Sequence, residues 1–386
     1  MRLYEFQAKQ VFAEYGIPIP KGRMAATPET AAQVASSFGI PVALKAQVLA
    51  GGRGLAGAIR FGQGSEEVRE IAAQILRMKI GDERPKALLV EEKLEARREL
   101  YVGVTWDYQR KCAVVVASSR GGVDIESVAR EHPNDVVRKQ VDPFKRFSAY
   151  LGRELAAAIG LTGDQLVQYA NLVSALWKIF EEHDAELVEV NPVAVLERGK
   201  LVALDAKLIL DDKSIFRQSS FLNRIEKLPD DVSDGLTHRR NRARDRRIPT
   251  YIEMQQGNIG VVADGAGSGM LTLDLVSDFG GRTRVYCEMG GEATAQLIEN
   301  ALLTTMEMAD VRVVLVNLIG GLNRMDEMAR GITSCFKTHP FEIPIVVRMS
   351  GTMQDEGRRI LAESGIPFFD SLYEAVQKAV DISQGV

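Results

Sequence analysis

The chain has 386 residues, 46% hydrophobic and 26% charged, with a formal charge of −4 at pH 7, room for two or three domains with their own cores. The mild acidity argues against nucleic acid as a general partner, and no apolar run approaches the roughly 20 residues a membrane-spanning helix needs. Three widely spaced cysteines, Cys112, Cys287 and Cys335, suggest neither a disulfide framework nor a zinc site, and charges among residues 1–6 do not read as a signal peptide, so a cytoplasmic protein is expected.

In chain order, Tyr4, Ala8, Val11, Phe12 and Tyr15 form a helical stripe that stops at Gly16, where Ile17-Pro18-Ile19-Pro20 forces extended backbone. A helix over 28–38 precedes a buried-strand pattern at 41–48 that holds one lysine, Lys45. The glycine-rich residues 50–57 follow at once. Glycines let backbone N–H groups approach phosphate oxygens, and Lys45 and Arg53 add positive charge. No Gly-Lys-Ser/Thr closes the loop, so it is not a Walker loop, and taken alone it also reads as a glycine-rich hairpin turn. A helix over 65–78 comes next, then strands at 86–92, 99–106 and 111–118, expected to form one antiparallel set because their connections are short. Helices at 151–159 and 163–182 lead into a hairpin at 186–208.

That hairpin carries oxygen ligands on otherwise apolar strands. A three-residue turn at Glu197-Arg198-Gly199 makes cross-strand partners sum to about 396, which sets Asn191 opposite Asp205, while period-2 alternation puts Glu189 on the face of Asn191. Such a set suits a Mg²⁺ that keeps waters and shares substrate phosphates. The alternative is a hairpin whose polar face meets solvent.

Between 229 and 250 the hydrophobic periodicity disappears. Residues 238–247 hold six arginines against one aspartate, which reads as a solvated linker or, alternatively, an arginine-rich surface for a phosphorylated ligand or acidic partner. From 251 the pattern alternates: strands at 258–264, 283–288, 311–318, 343–348 and 366–369, helices at 268–279, 293–308, 324–337, 354–364 and 371–383. Such alternation predicts a doubly wound parallel sheet. Loops at 265–269, 320–321 and 350–352 sit at strand carboxyl ends, where ligands bind in this architecture. The first loop approaches the dinucleotide fingerprint, with Glu288 ending the next strand, but Met270 stands where the third glycine belongs. The four histidines, His132, His183, His238 and His339, read as solvated surface residues.

Three stretches carry a resemblance: Gln47-Val48-Leu49-Ala50-Gly51-Gly52-Arg53-Gly54, Glu189-Val190-Asn191-Pro192 and Asn317-Leu318-Ile319-Gly320-Gly321. With Tyr4-Glu5-Phe6-Gln7-Ala8-Lys9 and the spacing across the first domain, the chain resembles the β-subunits of succinate–CoA ligase almost from end to end. The resemblance implies an α+β ATP-grasp domain over 1–235, a linker over 236–250 and a flavodoxin-like α/β ligase domain over 251–386. It implies that Lys45, Gly52, Arg53 and Gly54 hold ATP phosphates, that Glu91 and Glu99 line the adenosine pocket, and that Asn191 and Asp205 bind Mg²⁺. Glu189 is implied to contact a phosphohistidine carried by a CoA-binding α-subunit, Arg53 to act beside it in catalysis, and Pro20 to favour ATP over GTP. The implied reaction joins a carboxylic acid to CoA at the expense of ATP, through acyl-phosphate and phosphohistidine intermediates.

Departures from the family pattern fall near the acid, in the substrate-binding set Asp264, Gly321, Leu322 and Asn323. Asp264 stands for the usual Asn, Asn323 for an apolar residue and Ser350 for a glutamate common in bacterial members. An unpaired Asp264 beside a dicarboxylate is repulsive and calls for a donor on the substrate or an Arg nearby. A hydroxylated acid such as malate, citrate or 3-hydroxypropionate is therefore an alternative to succinate. Leu49 and Leu55 replace the loop's usual His and Lys. Two other functions compete: a stand-alone ATP-grasp carboxylate–amine ligase, and a non-catalytic nucleotide- or acyl-CoA-binding regulator. An apolar patch within 311–337 and the arginine run are candidate docking surfaces for the partner.

Overall fold

A computed structural model describes residues 1–49, 54, 56–81, 84–142, 147–226, 228, 242–243, 245–254, 256–291, 293–339 and 342–385. The chain forms two compact units, Met1–Val232 and Ser233–Val386. Five residues of the glycine loop, Ala50, Gly51, Gly52, Arg53 and Leu55, lie outside the described residues, as do residues 238–241 and 244 of the arginine run, His238 among them.

The first unit opens with α1 (Glu5–Glu14), β1 (Gly22–Ala25), α2 (Pro28–Phe38), β2 (Val42–Ala46), β3 (Ile59–Gly62), α3 (Ser65–Arg77) and β4 (Leu88–Glu92). Helix α2 starts where the Thr27 side chain accepts from the Thr30 amide, with Pro28 in the first turn, and ends at Gly39 in the left-handed region (φ 63°). The strands make an antiparallel sheet in the order β1-β4-β2-β3, packed on α2 and α3 through Ala31, Ala35, Val42, Leu44, Val68, Ala72 and Ile75.

A second sheet uses β5 (Arg98–Asp107), β6 (Cys112–Ser118), β7 (Val136–Val141), β8 (Ala185–Val195), β9 (Leu201–Ala203) and β10 (Lys207–Leu210) in the order β10-β8-β5-β6-β7, with β9 also on β8. Helix α4 (Ile125–Glu131) precedes β7; α5 (Ala149–Ala158) and α6 (Gly163–Glu182) precede β8; α7 (Ser219–Arg224) follows β10. Fully buried Leu155, Tyr169, Leu176 and Ile179 from the helices pack on Leu100, Val102, Val188 and Leu208 from the sheet. The expected single antiparallel set is corrected here: β5 and β6 pair, but β4 belongs to the other sheet. Its connection to β5 is short because the chain steps between sheets rather than turning within one.

The hairpin register follows the 396 sum on both sides of a break. Val193 faces Ala203 and Val195 faces Leu201 in one part, and Lys207 faces Glu189 and Leu208 faces Val188 in the other. Asn191 and Asp205 fall in the gap between them. On the opposite edge of β8, Leu100 faces Val193 while Val102 faces Val190, so Asn191 and Pro192 together oppose Tyr101 in a two-against-one bulge. Proline has no N–H for the ladder, which is why the interruption sits there.

The second unit contains β11 (Thr250–Glu253), β12 (Ile259–Ala263), α8 (Ala266–Asp278), β13 (Thr283–Glu288), α9 (Ala295–Met306), β14 (Val313–Gly320), α10 (Met325–Thr338), β15 (Ile345–Gly351), α11 (Gln354–Glu363), β16 (Phe368–Phe369) and α12 (Leu372–Gln384). Sheet order is β11-β13-β12-β14-β15-β16. All neighbours run parallel except β11, an antiparallel edge strand. Without that edge the order is the flavodoxin-like 2-1-3-4-5. One face is covered by α9, α10 and α11, the other by α8 and α12, so strand residues such as Val314 and Leu315 are buried whichever way they point. The last residues of the arginine run are not free-standing: Arg242 and Arg246 both reach Glu307 at 2.7 Å, and Asn300 donates to the Arg246 carbonyl.

No described helix is long and apolar enough to cross a membrane. All three cysteines are buried and free.

Candidate functional site

Four charged side chains are buried together in the first unit: Glu5 and Lys9 on α1, Lys45 on β2 and Glu91 on β4, none more than 7% exposed. Lys45 Nζ lies 2.9 Å from both Glu5 Oε1 and Glu91 Oε2, and Lys9 Nζ lies 3.0 and 2.6 Å from Glu5 and Glu91. Both lysines also donate to the Leu204 carbonyl. Burial pushes Lys9 down, Glu5 and Glu91 offsetting only part of it. For Lys45 burial pulls the same way, but Glu5, Glu91 and Asp205 outweigh it and the ammonium is held above its usual range. Gln47 braces the group by accepting from the Phe6 amide and donating to the Lys45 carbonyl.

Leu204 is the first residue of the ladder break, and Asp205 follows it. Its Oδ1 accepts from the Ala206 amide at 2.7 Å. Across the break, Asn191 is clamped by the loop after β6: Gly122 N donates to Oδ1 at 2.7 Å and Nδ2 donates to the Val123 carbonyl at 2.9 Å. That loop requires its two glycines. A Cβ on Gly121 would meet the Leu100 carbonyl at 2.2 Å, and one on Gly122, at φ 72°, would meet Glu99 Oε2 at 2.2 Å. Burial raises Glu99. Glu189 faces Lys207 in β10 and accepts from the Tyr101 hydroxyl at 3.2 Å. Burial raises it, with Lys207 and Tyr101 pulling the other way.

The structure therefore brings Lys45 and Glu91 from one sheet, Glu99, Glu189 and Asn191 from the other, and Asp205 from the break between β9 and β10 into one unit. Of the phosphate-loop set only Gly54 is described, and it is exposed. Sequence reasoning missed Glu5, Lys9 and Tyr101, and the clamp at Gly121, Gly122 and Val123. The glycine pair following a strand was a visible signal. Lys9 was less so, since a Glu five residues into the chain and a Lys four later look like a surface helix pair. Among the described residues no His, Cys, Asp and Glu cluster is arranged as a metal site. Asn191 Oδ1 retains a second lone pair, and with Asp205 it offers two hard oxygens whose chemistry fits Mg²⁺ completed by water and phosphate.

In the second unit the strand-end loops do converge. Asp264, 4% exposed, accepts from the Ile319 amide at 3.0 and 3.2 Å and from Asn323 Nδ2 at 3.3 Å. Asn323 Oδ1 accepts from Ala293 N at 2.8 Å and its Nδ2 also reaches the Gly290 carbonyl. Thr352 ties β15 to this loop through the Gly320 and Gly321 carbonyls. Leu322 projects outward, 82% exposed. The donor that Asp264 required is thus internal.

The histidines are not all solvated. His183 is 6% exposed, packs 3.9 Å from the Phe221 ring and lies 2.9 Å from the Tyr15 hydroxyl. Helix α7 covers it, and burial pushes its pKa down. His132 is exposed and His339 half-buried.

The ATP-grasp domain family matches residues 2–195 and the CoA-ligase family residues 262–382. A chain with these two domains in this order is an ATP-using acid–thiol ligase component. Succinate–CoA ligase [ADP-forming] subunit beta of Herpetosiphon aurantiacus is 40% identical over 385 residues, and that of Methanothermobacter thermautotrophicus 36% over 386, each covering 100% of both chains. The chain belongs to the family of ADP-forming succinate–CoA ligase β-subunits. Its fold is shared with ATP citrate lyase from Methanothrix soehngenii, solved with citrate and coenzyme A, at a TM-score of 0.75 and 19% identity over 98% of this chain and 99% of that one.

Proposed function

We propose that the chain is the nucleotide-binding half of a two-subunit cytoplasmic succinate–CoA ligase, which converts succinate, CoA and ATP to succinyl-CoA, ADP and phosphate. A CoA-binding α-subunit supplies the histidine that carries the phosphoryl group. The observation that carries this reading is the double anchoring of the Leu204 carbonyl by Lys9 and Lys45, which fixes Asp205 beside a buried lysine and across from Asn191.

In this reading residues 1–235 bind the nucleotide, 236–250 link, and 251–386 serve the acid and CoA chemistry. Lys45 with Gly52, Arg53 and Gly54 cradles the phosphates, and Arg53 stabilises charge on the transferring group. Glu99 lines the adenosine pocket; Glu91 both lines it and holds Lys45 in place. Asn191 and Asp205 hold a Mg²⁺ that neutralises phosphate charge when bound. Glu189 receives the partner's histidine, which divides one difficult transfer into two easier ones. At the acid, Gly321 and Leu322 form the contact surface, while Asp264 and Asn323 shape it from behind. Because those two are already bonded to each other and to backbone amides, they leave no demand for a substrate hydroxyl, and succinate is favoured over malate, citrate or 3-hydroxypropionate.

The test uses the chain with and without a co-expressed α-subunit. Alone it should bind Mg-ATP, form no succinyl-CoA and acquire no label from γ-labelled ATP; with the partner, label should appear on the partner's histidine. Phosphohistidine on this chain, or turnover without a second subunit, would refute the two-subunit reading. A higher kcat/KM for a hydroxylated acid than for succinate would overturn the choice of acid.

A further inference from the structure

We propose that Tyr101 is a positioning residue for Glu189, its hydroxyl fixing the carboxylate against the pull of Lys207. The inference rests on the reading above, in which Glu189 receives the partner's histidine. Gly103 on β5, Glu189 on β8 and Lys207 on β10 lie in one row across three strands. Lys207 attracts the carboxylate from the β10 side. On the β5 side, Gly103 has no side chain to answer it.

Tyr101 supplies that answer by leaning along its own strand. It shares a face with Gly103, two residues on, and its hydroxyl reaches Glu189 Oε2 at 3.2 Å. Three features serve this one contact. The bulge sets Tyr101 alone against Asn191 and Pro192. The Tyr101 carbonyl is pinned by the fully buried Tyr169 hydroxyl at 2.7 Å. A Cβ at position 103 would lie 2.6 Å from the Tyr101 hydroxyl, so only glycine there lets the ring lie over the strand. Tyr101 is 4% exposed, which gives the hydroxyl little water to exchange for the carboxylate and makes the bond directional.

The test compares Tyr101→Phe, Gly103→Ala and Glu189→Gln in the complex with the α-subunit. Single-turnover transfer from γ-labelled ATP to the partner's histidine is measured beside calorimetric Mg-ADP affinity and Tm. Tyr101→Phe should slow transfer about tenfold, as expected for loss of a hydrogen bond to a charged group, with Mg-ADP affinity and Tm unchanged. Gly103→Ala displaces the ring and should slow transfer similarly, and the double variant should be no slower than either. Transfer at the wild-type rate in both single variants, with Glu189→Gln slow, overturns the inference alone. It is equally overturned if transfer falls only in step with nucleotide affinity or Tm, because the role is then structural. Wild-type transfer in Glu189→Gln removes the role of Glu189 itself and this inference with it. If Tyr101→Phe does not fold, Gly103→Ala, which keeps the tyrosine, decides the matter.

Discussion

The two units bury charge in opposite ways. In the first, two carboxylates and two ammonium groups neutralise one another while buried, and each is held by two of the others. In the second, the buried Asp264 carboxylate is held by a backbone amide and an amide side chain rather than by an ion pair among the described residues. The first arrangement is a closed set in which removal of one member strands the rest; the second is local and fails locally. An antiparallel sheet meeting a helix can bring a helix lysine and a strand lysine together, whereas the carboxyl ends of parallel strands present backbone N–H groups that suit a lone anion.

That contrast is open to attack, most strongly at Lys9. Lys9→Met leaves two buried carboxylates sharing one lysine and should destabilise the first unit by about 3–5 kcal/mol. Both tryptophans, Trp106 and Trp177, lie in that unit, so urea unfolding followed by their fluorescence reports it. Combining Lys9→Met with Glu5→Gln should recover a large part of the loss; a single-variant effect below about 1 kcal/mol would mean that the four charges are not a closed set. Asp264→Ala should destabilise less, by about 1–3 kcal/mol, since it strands one amide and one side chain. Asp264→Asn, which still accepts from Ile319, should do less harm than Ala, with hydrogen exchange over 259–351 as the measure. Equal effects of Ala and Asn would show that the charge, not the acceptor, matters there.

His183 sharpens the comparison through pH. Burial depresses its folded pKa, the neighbouring Glu182, Glu14, Gln218 and Arg224 acting as smaller influences. An unfolded histidine titrates near ~6.5, so below that pH the unfolded chain binds the proton that the folded one refuses, and stability falls as pH falls. Unfolding of the first unit should therefore become easier from pH 7 to 5, and His183→Gln should flatten that slope; an unchanged slope would exclude His183 as its source. Smallest is Arg246→Ala. Its pair with Glu307 is partly exposed and should contribute ~1 kcal/mol or less, vanishing in high salt. A loss several times larger would show that the arginine run is structural.

What the amino-acid pattern reveals depends on how local the cause is. The doubly wound unit was legible because its parallel strands and the helices between them announce themselves by period and length. The hairpin register was legible because a three-residue turn leaves one way to pair 186–208. The placement of β4 was not, since its partner β2 lies across α3 and nothing between 93 and 97 distinguishes a turn from a step between sheets. Strand β11 escaped because four residues after Pro249 carry little periodicity. The candidate residues Lys45, Asn191 and Asp205 could be singled out from their neighbours. Lys9 could not, because beyond Glu5 on its own helix its partners come from β4 and from a break in a hairpin. Asp264 was recognised as a charge in need of a donor, but of its two donors, Asn323 Nδ2 and Ile319 N, the second is a backbone group that every residue except proline possesses.

The Leu204 carbonyl also constrains the order of assembly. Its bond to Lys9 spans 195 residues, and the Lys9 to Glu91 bond spans 82. Contacts of that length are slow to form because the intervening chain must be closed first. A nascent first unit can therefore build α2, α3 and their sheet while Lys9 and Lys45 lack one of their acceptors, and it becomes complete only when the last hairpin docks.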